Sequence, residues 1–230
     1  MLGVLINVST VILGSCVGLL FRKGLPERVS SAAMTGLGAC TLYIGITGSL
    51  RGENVLILIA SVVLGVICGT LLNIDGAINK LANAVEQRCK RDGQTVSIAE
   101  GLVTATLLFC VGSMTVTGSI QAGLTGDNSV LFTKATLDLV SSAMLASSLG
   151  IGVLFASLSV LVIQGGLVLL AELIAPLMST GAINEMTCAG SLLIVMLGTN
   201  MMGMTKIKVA DFLPAILFAP LIYNLVSLFQ

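Results

Sequence analysis

There is no histidine anywhere in this chain, and only 10% of its residues are charged. Without imidazole, the zinc and haem sites that depend on it are excluded, as is the usual near-neutral proton carrier. Any titrating group is therefore a carboxylate, lysine, cysteine or tyrosine. An excess of one sign of charge is also missing. Eleven basic and eleven acidic residues cancel, which leaves neither a basic face for nucleic acid nor an acidic tail. The sequence shows no nucleophile paired with a base, no phosphate-binding glycine loop and no metal-ligand set, so neither enzymatic activity nor a cofactor is expected.

What fills the chain instead is apolar surface. Of the 230 residues 56% are hydrophobic, the mean hydropathy is +1.07, and runs of membrane-spanning length recur from end to end, as in an integral membrane protein. Cys16, Cys40, Cys68, Cys110 and Cys188 fall inside those runs and Cys89 in a basic loop, the pattern of small packing residues and not of a disulfide framework. "LGSC" at 13–16 resembles a lipoprotein cleavage box, but no Lys or Arg precedes it and the apolar run continues to Phe21, so a first transmembrane helix is expected.

Apolar runs between charged or turn-rich breaks predict helices near 2–21, 33–50, 54–75, 99–119, 131–148, 151–174, 186–203 and 209–229, an all-α, polytopic transmembrane bundle of about eight spans in one domain, 1–230. The cut between the fifth and sixth rests on Gly150 and Gly152, inside a run without charge from Leu139 to Ala171. With eight spans and both termini outside, the inner loops hold Arg22, Lys23 and Arg28, then Lys80, Arg88, Lys90 and Arg91, then Lys206 and Lys208, nine of the eleven basic residues. That asymmetry is the expected one for cytoplasmic loops. The loop 76–98 and the residues just before it place Ile74, Ile78, Leu81 and Val85 at helical spacing beside Lys80, Arg88, Lys90 and Arg91, an amphipathic segment suited to lie under anionic lipid or to dock a cytosolic partner.

"GSCVG" (Gly14, Gly18) and "GVICG" (Gly65, Gly69) have the small-xxx-small spacing of closely packed membrane helices. "MTGLGACTLYIGITG" from Met34 and "MTCAGSLLIVMLGTN" from Met186 share Met, Thr and Gly at matched offsets. If 1–75 and 151–230 correspond, an offset of five spans inverts one triplet of helices against the other, the layout common in secondary transporters.

The polar residues inside the spans are the candidate site. Lys or Asp at a helix centre costs about 2.5–3.5 kcal/mol on insertion scales, so such residues face water, a partner or the interface. Lys134 lies near a helix end and can snorkel. Asp138, one turn deeper on a short stem, is the harder to dismiss. With Ser141 and Ser142 on nearby faces it is expected to line a solute or ion path, with Lys134 as gate or anion contact; a local ion pair is the structural alternative. Gln164, followed by Gly165 and Gly166, sits where the backbone opens toward a ligand or where one interhelical bond forms. Asn184 and Glu185 in "TGAINEM" are read first as a helix start, where capping and the dipole account for both, and second as candidates along the solute or ion path. Asn7 and Asn200 are further polar candidates. Met196, Met201, Met202 and Met204 are read as packing, since no cysteine or histidine accompanies these thioethers as a copper site requires.

The segments "EGLVTATLLFCVGSM", "GLTGDNSVLFTKATLD", "ASSLGIGVLFASLSVLVIQGG" and "INEMTCAGSLLI", with the opening "MLGVLINV", resemble the YqgA/YdfK-like bacterial membrane proteins, the domain-of-unknown-function family numbered 554, over essentially the whole chain. The resemblance implies a multi-pass bacterial inner-membrane protein and supplies no biochemical activity. Its motif positions match here at Asp127, Lys134, Asp138, Gln164, Asn184 and Glu185. Together these readings lead to an expected small secondary transporter or channel for a small polar solute or ion, homo-oligomeric in the lipid bilayer. The rival reading is a non-transporting scaffold or sensor that binds a cytosolic partner.

Overall fold

The computed structural model describes residues 1–22, 27–80 and 98–228. Among them every regular element is helical: α1 (Leu2–Arg22), α2 (Glu27–Ser49), α3 (Val55–Leu71), α4 (Ile74–Lys80), α5 (Ile98–Cys110), α6 (Ser113–Leu124), α7 (Ser129–Leu149), α8 (Gly152–Leu169), the short α9 (Ala171–Ile174), α10 (Thr180–Met201) and α11 (Ala215–Ser227), with 3-10 turns at Ala175–Leu177 and Val209–Phe212. Five helices are long and apolar enough to cross a membrane. Two bent pairs, α3 with α4 at 51° and α5 with α6 at 59°, raise the number to seven if each pair is one span. The 23-residue α2 is not among them; its glycines, threonines and serines dilute its apolar character.

The expected helices are present, with two instructive differences. The run at 99–119 is interrupted at Val111–Gly112, which separates α5 from α6. The last helices also shift: α10 begins at Thr180, with Ser179 as its N-cap accepting from the Ala182 N–H, so Asn184 and Glu185 lie on its second turn and do not start it. The turn at Gly150 forms as expected, with φ of 80°, a left-handed conformation that costs glycine nothing. Most of the amphipathic loop, residues 81–97, lies outside the described residues, and so does Cys89; Ile78 and Lys80 belong to α4. The five described cysteines are unbridged.

Two groups of helices pack side by side. α1, α7, α8 and the α5/α6 pair form one; α2, α3, α10 and α11 form the other. A buried apolar cluster of Val11, Phe109, Leu145, Leu149, Val153 and Val160 fills the first group. Leu107 of α5, Val111 at its end and Leu193, Ile194 and Leu197 of α10 join the two. Side chains such as Leu5, Leu13, Val17 and Leu20 of α1 point outward and are exposed, as lipid-facing residues of a membrane helix are.

Helix directions follow from the close contacts. A methyl group on Gly14 would run into Leu139 O and Ser142 Oγ, and one on Gly18 into Ala143 O, so α1 and α7 run parallel with their backbones nearly touching. Gly38 faces Met202 and Gly198, Gly45 faces Val195, and Gly52 faces Cys188, so α2 and α10 are antiparallel. Gly65 and Gly69 of α3 lie against Ala215 and Asp211 in turn. Both small-xxx-small stripes are thus consumed within the chain, where missing side chains permit tight van der Waals packing that lipid cannot replace.

Gly14→Val and Gly18→Val should each lower the thermal stability of the detergent-purified protein, by about 1–3 kcal/mol as overpacked sites do. Gly166→Ala, where an added methyl meets open space, should be neutral or stabilising by up to about 1 kcal/mol. Equal losses at all three positions would show that the α1–α7 seam is not tight.

Candidate functional site

Asp138 lies near the middle of the 21-residue α7 and is 5% exposed, with Lys134 at 6%. An ionised carboxyl there must be paired or neutralised. The lysine one turn earlier supplies the pair, with Lys134 Nζ 2.6 Å from Asp138 Oδ2. A second donor comes from α1: Asn7 Nδ2 donates to Asp138 Oδ2 at 3.0 Å and to Gln164 Oε1 at 3.1 Å. Asn7 and Gln164 are fully buried. One amide thereby joins α1, α7 and α8, and Thr10 Oγ1 donates back to the Asn7 carbonyl at 2.8 Å. The Gln164 Nε2 group is buried without a partner. The Lys134 ammonium sits 5.9 Å from the centroid of the Phe109 ring, within cation–π range.

Phe109 is in the last turn of α5, just before the break. There Thr115 Oγ1 reaches back across the gap to donate to Phe109 O at 2.9 Å. Gly112, the N-cap of α6, brings no side-chain acceptor to the positive end of that helix, and it lines the same cavity as the ion pair.

Beside this break lies an open cavity of about 490 Å³. Lys134, Leu137 and Asp138 of α7 form one wall, with Leu108, Gly112, Met114 and Thr115 at the α5/α6 junction. Tyr43, Ile44, Thr47 and Gly48 of α2 and Thr187, Ser191 and Ile194 of α10 form the other, with Arg51 beyond α2. The cavity therefore lies between the two helix groups. A smaller one, of about 160 Å³, sits toward the other end of α10 and is lined by Asp75, Asn79, Glu100 and Asn200 among others.

The remaining candidates separate by what they bond. Ser142 is buried, donates to Leu139 O at 3.0 Å and packs on Gly14, so it belongs to the α1–α7 seam. Ser141 is exposed on the outer face of α7. Glu185 is 1% exposed, and its Oε1 accepts from the backbone N–H groups of Glu53 and Asn54, both at 2.8 Å. It caps the entry to α3 from another helix, in place of the capping of its own helix that the sequence suggests. Asn184 Nδ2 donates to Glu53 Oε1 at 3.1 Å and Cys188 Sγ to Ser49 O at 3.0 Å, tightening the same turn. Asn200 folds the loop that follows it: Nδ2 donates to Ile207 O at 2.7 Å, while Oδ1 accepts from Thr205 Oγ1 at 2.6 Å and Ile207 N at 2.9 Å. Asp127 starts α7, accepting from Ser129 N at 2.9 Å. The hydrogen bond from the Ser129 N–H holds its carboxyl below the ordinary range. Its support of the helix start is therefore complete above about pH 3.9 and fades as pH falls through the lower folded value.

Of the predicted residues, then, Asn7, Lys134, Asp138 and Gln164 come together. Ser141, Ser142, Asn184, Glu185 and Asn200 do not join them. The cavity residues Tyr43, Thr47, Arg51, Thr115, Thr187 and Ser191 escaped the sequence reading. Only Arg51 carried a signal, as a basic residue stranded outside the basic loops.

The family model for a protein of unknown function, DUF554, matches residues 2–224. The chain belongs to this family. It is 31% identical to the uncharacterized membrane protein YdfK of Bacillus subtilis (strain 168) over 233 residues, covering 100% of this chain and 98% of the relative. It is also 31% identical to the uncharacterized protein YqgA of Escherichia coli (strain K12) over 222 residues, 95% and 94% of the two chains. No solved structure matches it. With its apolar helices and a membrane protein among its relatives, this DUF554 member is itself a membrane protein.

Removing one partner of a buried pair leaves the other charge uncompensated, so Lys134→Met and Asp138→Leu should each destabilise the protein by about 3–5 kcal/mol. The double variant should recover most of that loss. Single and double variants with the same melting temperature as the parent would show that the pair is solvated.

Proposed function

We propose that this protein is a small secondary transporter or channel for a small polar solute or ion, and not an enzyme. The observation that carries the reading is that Lys134 and Asp138, buried and paired, also line the open cavity between the two helix groups. A polar cavity is worth its insertion cost where something polar passes. The broken α5/α6 pair beside it supports the same reading, because discontinuous helices line substrate sites in many transporters.

Helix directions support an eight-span path in which the less apolar 23-residue α2 also crosses the bacterial inner membrane. α7 parallel to α1 requires an odd number of crossings between them, and α2, α3 and the bent α5/α6 pair taken as one span supply three. α10 antiparallel to α2 requires an even number, and α3, α5/α6, α7 and α8 supply four. With nine basic residues on the inner side, both termini lie outside and the cavity opens outward. The antiparallel pairs α2 with α10 and α3 with α11 are the partners that an inverted repeat of 1–75 on 151–230 would bring face to face. A homo-oligomer remains part of the proposal, read by the mass of the detergent-free particle.

A non-transporting scaffold or sensor is the second reading, favoured by Glu185, Asn184 and Asn200, whose bonds hold turns in place.

Reporter fusions should place both termini on the periplasmic face; termini on opposite faces would remove the eight-span path, and two cytoplasmic termini would reverse its orientation. In sealed liposomes the purified protein should pass a small polar solute or ion, and Asp138→Asn should slow that flux at least ten-fold. Undiminished flux in this variant would remove Asp138 from the path.

A further inference from the structure

The chemistry of the cavity narrows what it holds. It contains a cation and an anion side by side, Lys134 and Asp138, which pair with each other. Both donors to Asp138, from Lys134 and Asn7, converge on Oδ2. Among the described residues Oδ1 takes no donor. The start of α6, with glycine as its N-cap, lies in the same wall as Lys134, and Arg51 stands at the same cavity. Hydroxyls of Thr115 and Thr187 already donate to backbone carbonyls, Phe109 O across the α5/α6 break and Ile183 O within α10, and so face a ligand only as acceptors. Apolar surface from Leu108, Met114, Leu137 and Ile194 completes the lining.

Three ligand classes meet this lining differently. A neutral solute leaves the ion pair closed and gains only hydroxyl contacts. A simple anion draws Lys134 away and leaves Asp138 with the Asn7 amide alone, and a simple cation does the converse to Lys134. Each of these strands one buried charge, which costs several kcal/mol. A ligand carrying both charges a few bonds apart exchanges partners with the pair: its carboxylate takes Lys134 and the open start of α6, and its ammonium takes Asp138. No charge is then left unpaired. Half-helix N-termini serve anionic substrate groups in this way, and about 490 Å³ is ample for a ligand with a short side chain.

We infer that the cavity is a binding site for a small zwitterion of the α-amino-acid class, with Lys134 and the α6 N-terminus holding the carboxylate and Asp138 the ammonium. This rests on the reading of the cavity as a solute site, but its test is binding and not flux. The purified full chain in lipid nanodiscs is titrated calorimetrically with each of the twenty amino acids, and with acetate, propionate, methylammonium and glycinamide as single-charge probes. At least one amino acid should bind at least ten-fold tighter than every single-charge probe. Lys134→Met and Asp138→Asn should each weaken that binding at least ten-fold. Since either variant also loses stability, Thr47→Trp gives an independent reading: it leaves the ion pair intact, replaces an exposed residue at the cavity, and should weaken binding at least ten-fold by narrowing the space. No amino acid binding more tightly than acetate or methylammonium overturns the assignment, and so does unchanged binding in the folded Thr47→Trp protein. Flux of some other solute without amino-acid binding ends this inference and leaves transport standing. Binding without flux keeps the inference and ends transport.

Discussion

A carboxyl group near the middle of an apolar helix is the constraint on which the rest of this structure depends. Asp138 is kept by three helices at once: Lys134 pairs with it from its own helix, Asn7 reaches it from α1, and Gln164 holds the other bond of Asn7 from α8. In hydrocarbon such bonds have no competitor in water, and a lost partner cannot be replaced from solvent. The amide of Asn7 reaches both acceptors because α1 and α7 approach closely, and they do so because Gly14 and Gly18 present no side chain to the facing carbonyls. Polar chemistry and backbone packing are therefore one arrangement.

The two helix groups differ in what their polar residues do. In the group of α2, α3, α10 and α11, Glu185, Asn184 and Asn200 close turns at helix ends: Glu185 and Asn200 bond backbone groups, and Asn184 bonds the Glu53 side chain. In the other group, the polar residues pair across helices and two of them also face the cavity. The break between α5 and α6 sits between these two regimes. A continuous helix there would have satisfied its own backbone and given the ion pair only a smooth apolar wall.

Much of this was legible in the sequence. Helix positions were, because lipid imposes one length and one polarity on every span. Lys134, Asp138, Asn7 and Gln164 were visible as candidates because polar residues are rare there. Which candidates meet was not legible: Asn7 and Asp138 are 131 residues apart, and nothing local distinguishes Asn7, which bridges three helices, from Asn200, which folds its own loop. The interruption at Val111–Gly112 was hidden because Cys110, Val111 and Gly112 read as a continuing apolar run. Glu185 was misplaced because a carboxylate near a helix start suggests a cap on that helix, whereas its partners come from a turn more than a hundred residues earlier. The α2 and α10 walls of the cavity come from ordinary threonines, a serine and a tyrosine, selected only by tertiary packing.

The bond between Asn7 and Asp138 also sets an order of events in synthesis. α1 leaves the ribosome before α7, and the carboxylate it must meet emerges 131 residues later, on the order of 7 to 26 s at ordinary elongation rates. Throughout that interval the amide of Asn7 sits in a nascent bilayer helix with no native acceptor, and the glycine face beside it has nothing to press against. Biogenesis of this protein is therefore a waiting problem: α1 must be sheltered, by insertion machinery or by provisional neighbours, until α7 arrives to claim it.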